Sequence, residues 1–217
     1  MQKFVKKYPE IYNLCEAAYT KLRQNGFPET EEISFDLIFP FLLPLSEKNV
    51  QLKMSYELSV YRELIDNYNK NTTSEYLLKL FFDSARYYPI SLKDYIYFNR
   101  KRDIIDNDIV KSYEFSADRV FYRFSTLLNY KEYFNSEGLF ISLMTDIKKI
   151  SAFLLFDDDM SDLADDFEWK KNTILSKYLQ FEKTDIKFIT DVMIAYVKTV
   201  NNNMLSDFIN EITVIYE

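Results

Sequence analysis

Apolar positions recur at helical spacing along most of this chain, and the stretches between them are polar or carry proline or glycine. The pattern predicts a first helix over Lys3 to Arg23, broken near Pro9 and stopped by Asn25-Gly26. A second run, TEEISFDLIFPFLLPLS, opens at a Thr30 cap and is ended or kinked at Pro40 and Pro44. Ser46 caps a third helix to about Asn69, and a polar NKNTTS connector follows. Thr73 or Ser74 opens EYLLKLFFDSARYY, halted before Pro89. Ser91 with Asp94 starts a helix that reaches Tyr113. Ser116 opens another, striped by Val120, Phe121, Phe124, Leu127 and Leu128. After a turn at Ser136-Glu137-Gly138, a long helix runs from Leu139 into an acidic cluster. Asn172 to Phe181 is a short helix, and Thr184 caps a last one towards Tyr216. The expected fold is all-α: eight or nine helices in a single-domain bundle spanning residues 1–217.

Composition narrows the chemistry. With 2 Gly and 5 Pro in 217 residues, a turn-rich β-sandwich or a glycine-loop nucleotide fold is disfavoured. The chain has no histidine, which removes Ser-His-Asp and Cys-His nucleophiles, His-ligated zinc and imidazole acid–base catalysis. Cys15 is the one cysteine, so no internal disulfide forms; a small buried side chain in a reducing cytoplasm is the expectation. A net charge of −7 argues against nucleic acid as a partner. No apolar stretch approaches the roughly 20 residues of a transmembrane helix. The start, MQKFVKKYPEI, lacks the apolar core of a signal peptide. The 18 Tyr and 19 Phe suffice to fill a core or to line an apolar cavity.

The densest chemistry lies in FDDDMSDLADDFEWKKNT, residues 156–173. On a continuous helix, Asp158, Asp162 and Asp166 form one row, and Asp157, Ser161 and Asp165 an adjacent one, because a turn takes about 3.6 residues. Like charges at this spacing cost roughly 0.2–0.5 kcal/mol per pair, so such rows call for a cation. Hard divalent metals favour these oxygen ligands, and Mg²⁺ commonly bridges carboxylates to substrate phosphates.

In the register Asp158-Asp159-x-x-Asp162-x-x-x-Asp166, followed by Thr173, the segment resembles the second aspartate-rich motif of class I isoprenoid synthases. Shifted by one, Asp157-Asp158-x-x-Ser161-x-x-x-Asp165 is similar to the metal triad of terpene cyclases. The resemblance implies that family's all-α fold, in a reduced form. It further implies a Mg²⁺-dependent lyase or transferase that ionises an isoprenyl diphosphate, with Asp158, Asp162 and Asp166 as its catalytic metal ligands and Asp159 beside them. Phe153 and Phe156, with Phe121 and Phe124, would line the cavity and shield the carbocation. Tyr95 to Arg102 resembles the tyrosine and basic stretch that precedes the motif, which makes Arg102 a diphosphate ligand. Lys170 and Lys171 stand where the family carries a basic residue, and Arg119 and Arg123, at i and i+4, can reach a phosphate together. No clean copy of the facing acidic motif occurs upstream. Glu63 and Asp66 in YRELIDN are its nearest counterpart and the candidates for the second metal site. Self-association into a homodimer is compatible with this reading.

The same residues support other readings. Asp159 can cap a helix, with Asp162, Asp165 and Asp166 near the positive end of its dipole. Asp157, Asp159, Ser161 and Glu168 match positions one, three, five and twelve of a calcium loop, although Asp162 stands where that loop needs glycine. Arg119 and Arg123 can equally pair with Glu114 or Asp118. At the level of function, the alternative is a non-catalytic acidic helical interaction protein, of the inhibitor or immunity type, whose aspartates face a basic partner.

Overall fold

In the computed structural model, residues 7–24, 34–43, 45, 47–69, 106–169, 173–181 and 184–216 are described. Every regular element among them is helical, and none is a strand. The helices expected between Thr73 and Ile105 lie outside the described residues. No helix among the described residues is long and apolar enough to cross a membrane. Packing gathers the chain into two compact units, Met1–Ser91 with Arg123–Glu137, and Leu92–Tyr122 with Gly138–Glu217.

In the first unit, α1 (Pro9–Gln24) starts at the proline expected to break it. Proline fits the first turn because its missing N–H would have no intrahelical acceptor there. Ile11, Cys15, Ala18 and Leu22 form its buried stripe. Cys15 is 0% exposed, and burial, with Glu16 nearby, pushes its thiol up to about 12. The next run is shorter than expected. Ser34 caps α2 (Phe35–Ile38) by accepting the Leu37 N–H at 3.3 Å, and the chain then tightens into a 3₁₀ turn, Phe39–Leu42, around Pro40. Both pieces are buried and pack on α3 (Lys48–Asn69). Side chains of α3 complete this turn. Gln51 Nε2 donates to the carbonyls of Pro40 (3.1 Å) and Leu43 (3.2 Å), and Ser55 Oγ to that of Leu37 (2.7 Å).

In the second unit, Asp106–Asp108 are not helical, although the helix expected to reach Tyr113 would run through them. Asp108 Oδ1 accepts the Val110 N–H at 2.9 Å and starts α4 (Ile109–Phe121). Ser116, expected to open a helix, therefore lies inside α4. The expected stripe from Val120 to Leu128 is divided as well, because the backbone passes at the end of α4 into a 3₁₀ stretch, Tyr122–Tyr133, which from Arg123 on belongs to the first unit. The long helix is present as α5 (Glu137–Ser161), beginning at the predicted turn. It is followed by α6 (Leu163–Glu168) and α7 (Ile174–Phe181). The last helix is two. Asp185, not Thr184, caps α8 (Ile186–Val197) through the Lys187 N–H at 3.0 Å. A break at Lys198–Asn202 precedes α9 (Asn203–Thr213). Asp146 of α5 holds this break: its Oδ2 accepts the N–H groups of Asn201 (3.1 Å) and Asn202 (3.2 Å).

Candidate functional site: the acidic end of α5 and its tyrosine partners

The helix does continue through the acidic segment. Asp162 stands between α5 and α6 at φ −90°, ψ 0°, yet the bonds Asp162 N–H to Asp158 O (3.0 Å) and Asp166 N–H to Asp162 O (2.8 Å) carry helical spacing across the joint. Helical backbone at Asp157 to Ser161 overturns the calcium-loop reading, since that loop needs a sharp turn there.

The two rows do not stay on one surface. Asp158 and Asp162 are exposed, while Asp166, third in their row, is 2% exposed. In the adjacent row Asp157 is half-buried and Asp165 exposed. Ser161 turns its hydroxyl back onto the Asp157 carbonyl at 2.8 Å, a local bond that helical serines commonly make.

Tyrosines account for the inward carboxylates. Tyr113 of α4 donates its hydroxyl to Asp159 Oδ2 at 2.7 Å, and the Leu175 N–H in the first turn of α7 reaches the same oxygen at 3.4 Å. Asp159 thus does not cap its own helix; it helps cap α7, where Thr173 Oγ1 accepts the Ser176 N–H at 3.3 Å. Burial raises the Asp159 carboxyl above its ordinary range, against the hydrogen bonds from Tyr113 and Leu175, and Asp158 and Asp166 raise it further. Tyr216 donates to Asp157 Oδ1 at 2.5 Å.

Beneath these bonds lies an aromatic bed. Phe153 and Phe156 are fully buried with centroids 5.9 Å apart. Phe156 meets Tyr113 edge-on at 5.8 Å and Tyr216 at 6.1 Å, and Phe153 meets Tyr216 edge-on at 6.2 Å. Each tyrosine therefore works at both ends: its ring packs against phenylalanine and its hydroxyl reaches a carboxylate. Nothing in the spacing singles Tyr113 and Tyr216 out of the 18 tyrosines.

The outer face differs. Asp162, Asp165 and Glu168 are exposed, Phe167 is largely so, and Trp169, the chain's one tryptophan, is 70% exposed.

Other expected site residues are not brought here by any described contact. Glu63 and Asp66 lie on α3 in the first unit, and their side chains fall outside the described residues, as do those of Arg119, Phe121, Arg123 and Phe124. Because α4 ends at Phe121, Arg119 and Arg123 do not share an α-helical face. Glu114, a suggested partner for them, accepts the Tyr196 hydroxyl at 2.6 Å. Arg102, Lys170 and Lys171 are outside the described residues altogether.

Mg²⁺ demands near-octahedral oxygen donors converging at about 2.0–2.1 Å. Here Asp157 and Asp159 are engaged by separate tyrosines and Asp166 is buried, so this donor set as arranged does not fit that ion. Among the described residues no group of three His, Cys, Asp or Glu side chains is gathered to hold a metal. No family model matches this chain, and neither a curated protein nor a solved structure is found similar to it.

Proposed function

We propose that this protein is an acidic helical interaction protein that binds a basic partner protein through the outer face of the α5–α6 junction. The observation that carries the reading is Trp169, 70% exposed at the end of a helix whose solvent-facing side chains include Asp162, Asp165 and Glu168. An exposed indole beside carboxylates suits a guanidinium, which stacks on the ring while its N–H groups reach the acids. The half-buried members of the acidic segment support the same division of labour. Asp159 fastens α4 and α7, and Asp157 holds Tyr216, which leaves the outward carboxylates for recognition. The net charge of −7 adds long-range attraction for a cationic surface.

Titration with a nona-arginine peptide, followed by Trp169 emission at low ionic strength, tests this. Binding should weaken steeply with added salt. Asp165→Asn with Glu168→Gln should weaken it by roughly two- to tenfold, the scale of two exposed ion pairs. Unchanged binding in that double variant would overturn the reading. So would release of pyrophosphate from farnesyl diphosphate with Mg²⁺, or a joint stabilisation by Mg²⁺ and pyrophosphate exceeding the sum of each alone. The isoprenoid-synthase resemblance predicts both of these.

A further inference from the structure

One carboxylate of the segment is held back from the outer face by a tyrosine beyond the last helix. Asp157 heads the row that continues through Ser161 to exposed Asp165, and its Oδ1 accepts the Tyr216 hydroxyl at 2.5 Å. Tyr216 is reached from α9 through Val214 and Ile215, both turned to solvent, with its own N–H bonded to the Thr213 carbonyl at 3.0 Å. With Val214 and Ile215 in water, the Tyr216 side chain carries the attachment to α5. Its ring rests on Phe153 and Phe156 and its hydroxyl rests on Asp157. Burial and the neighbouring Asp157 raise the ionisation of this hydroxyl, so it stays a donor throughout the physiological range.

We propose that Tyr216 is a strap that competes with the cationic groups of a partner for the Asp157 carboxylate. Engagement of a basic partner then displaces the hydroxyl and adds Asp157 to the acidic row. The inference rests on the reading of this face as a docking surface for a basic protein. A guanidinium makes two charge-assisted bonds to a carboxylate where the phenol makes one, so an arginine is the competitor that can win. A lysine, a compact ammonium without the planar fork, competes less well. Displacement also lifts the Tyr216 ring from Phe153 and Phe156, so the strap moves as a unit.

Tyr216→Phe keeps the ring and deletes the competing hydroxyl. Nona-arginine should bind this variant about three- to tenfold more tightly than the unaltered protein, the scale of one hydrogen bond to a charged group. Combining it with Asp157→Asn should abolish the gain. Glu132→Gln, an exposed acid of the first unit, should leave it intact. In the unaltered protein, the peptide should speed amide hydrogen exchange at residues 214–216. Equal affinity of Tyr216→Phe and the unaltered protein, with exchange at these residues unmoved by peptide, would overturn the strap. If the Asp165→Asn, Glu168→Gln variant nonetheless weakens binding, the docking surface stands and only the strap fails. If that variant also binds normally, the docking reading itself fails. Should the phenylalanine variant lose its near-ultraviolet dichroism, the exchange measurement on the unaltered protein decides alone.

Discussion

A phenol placed against a carboxylate satisfies a buried acid without adding a positive charge, and this pairing recurs through the described residues. Tyr113 meets Asp159, Tyr216 meets Asp157, Tyr196 meets Glu114 at 2.6 Å and Tyr130 meets Glu57 at 2.5 Å. A neutral donor only partly offsets the cost of burying charge, and of these acids Asp159 and Glu57 are raised above their ordinary range. Burial raises Glu57 against the hydrogen bond from Tyr130 and the charges of Lys53 and Lys21. Asp146, 1% exposed, is likewise raised by burial, against the Asn201 and Asn202 N–H groups and Lys149. The sign of the linkage follows. A carboxyl whose folded value exceeds its unfolded one holds its proton longer in the native state, so its contribution is complete below the unfolded value. That contribution is lost as pH climbs through the raised folded value. With Glu57, Asp146 and Asp159 all raised from ordinary values of 4.5, 3.8 and 3.8, urea midpoints should fall as pH rises above about 4.5 towards neutrality. Glu57→Gln should flatten that slope. A midpoint that climbs across this window in the unaltered protein would show that these acids ionise freely in the fold.

At the scale of elements, three of the described helix ends and turns are closed by side chains from elsewhere in sequence. Gln51 serves the carbonyls of Pro40 and Leu43, Asp146 holds the start of α9, and Asp159 reaches the first turn of α7. Gln51→Leu keeps the bulk of the side chain but leaves two buried carbonyls without their amide donor. It should destabilise the protein by about 1–3 kcal/mol, measured by urea unfolding. The same closures explain which boundaries are legible from sequence. The apolar run Ile150–Phe156 with its acidic extension is read correctly as one long helix, because its spacing is local information. The cut at Lys198–Asn202 is not, because the carboxylate that stabilises it lies more than fifty residues upstream; the Asn201-Asn202-Asn203 run is the one local sign. The stripe after Val120 fails for a different reason. In the 3₁₀ stretch the spacing that shares a face is three, which places Leu127 and Tyr130 together in the core, and neither proline nor glycine marks the change.

Across the described residues, local spacing places the acidic rows on helical backbone and misses how their charges are divided. The i, i+4 rows are present in the backbone, yet the third member of one row is buried and the first of the other is held by a tyrosine. That division depends on Tyr113 and Tyr216, which lie 46 and 59 residues from their acids, a separation no periodicity encodes. With no histidine and one tryptophan, the ring side chains that can donate a hydrogen bond are almost all tyrosines, and this much composition does convey.

The buried cysteine has a kinetic consequence. Cys15 is sealed inside the first unit with its thiol pushed to about 12, so an alkylating reagent meets almost no thiolate while the surrounding helices stay closed. Each modification event therefore counts an opening, and the protein carries a native clock for fluctuations of that unit. Under native conditions the labelling rate should trail that of a free thiol by orders of magnitude, and it should quicken in Gln51→Leu by about tenfold for each ~1.4 kcal/mol of stability lost. Intact-mass spectra taken along a labelling time course measure both rates. A Cys15 that reacts as fast as free cysteine would mean that the packing around α1 opens more often than it stays shut.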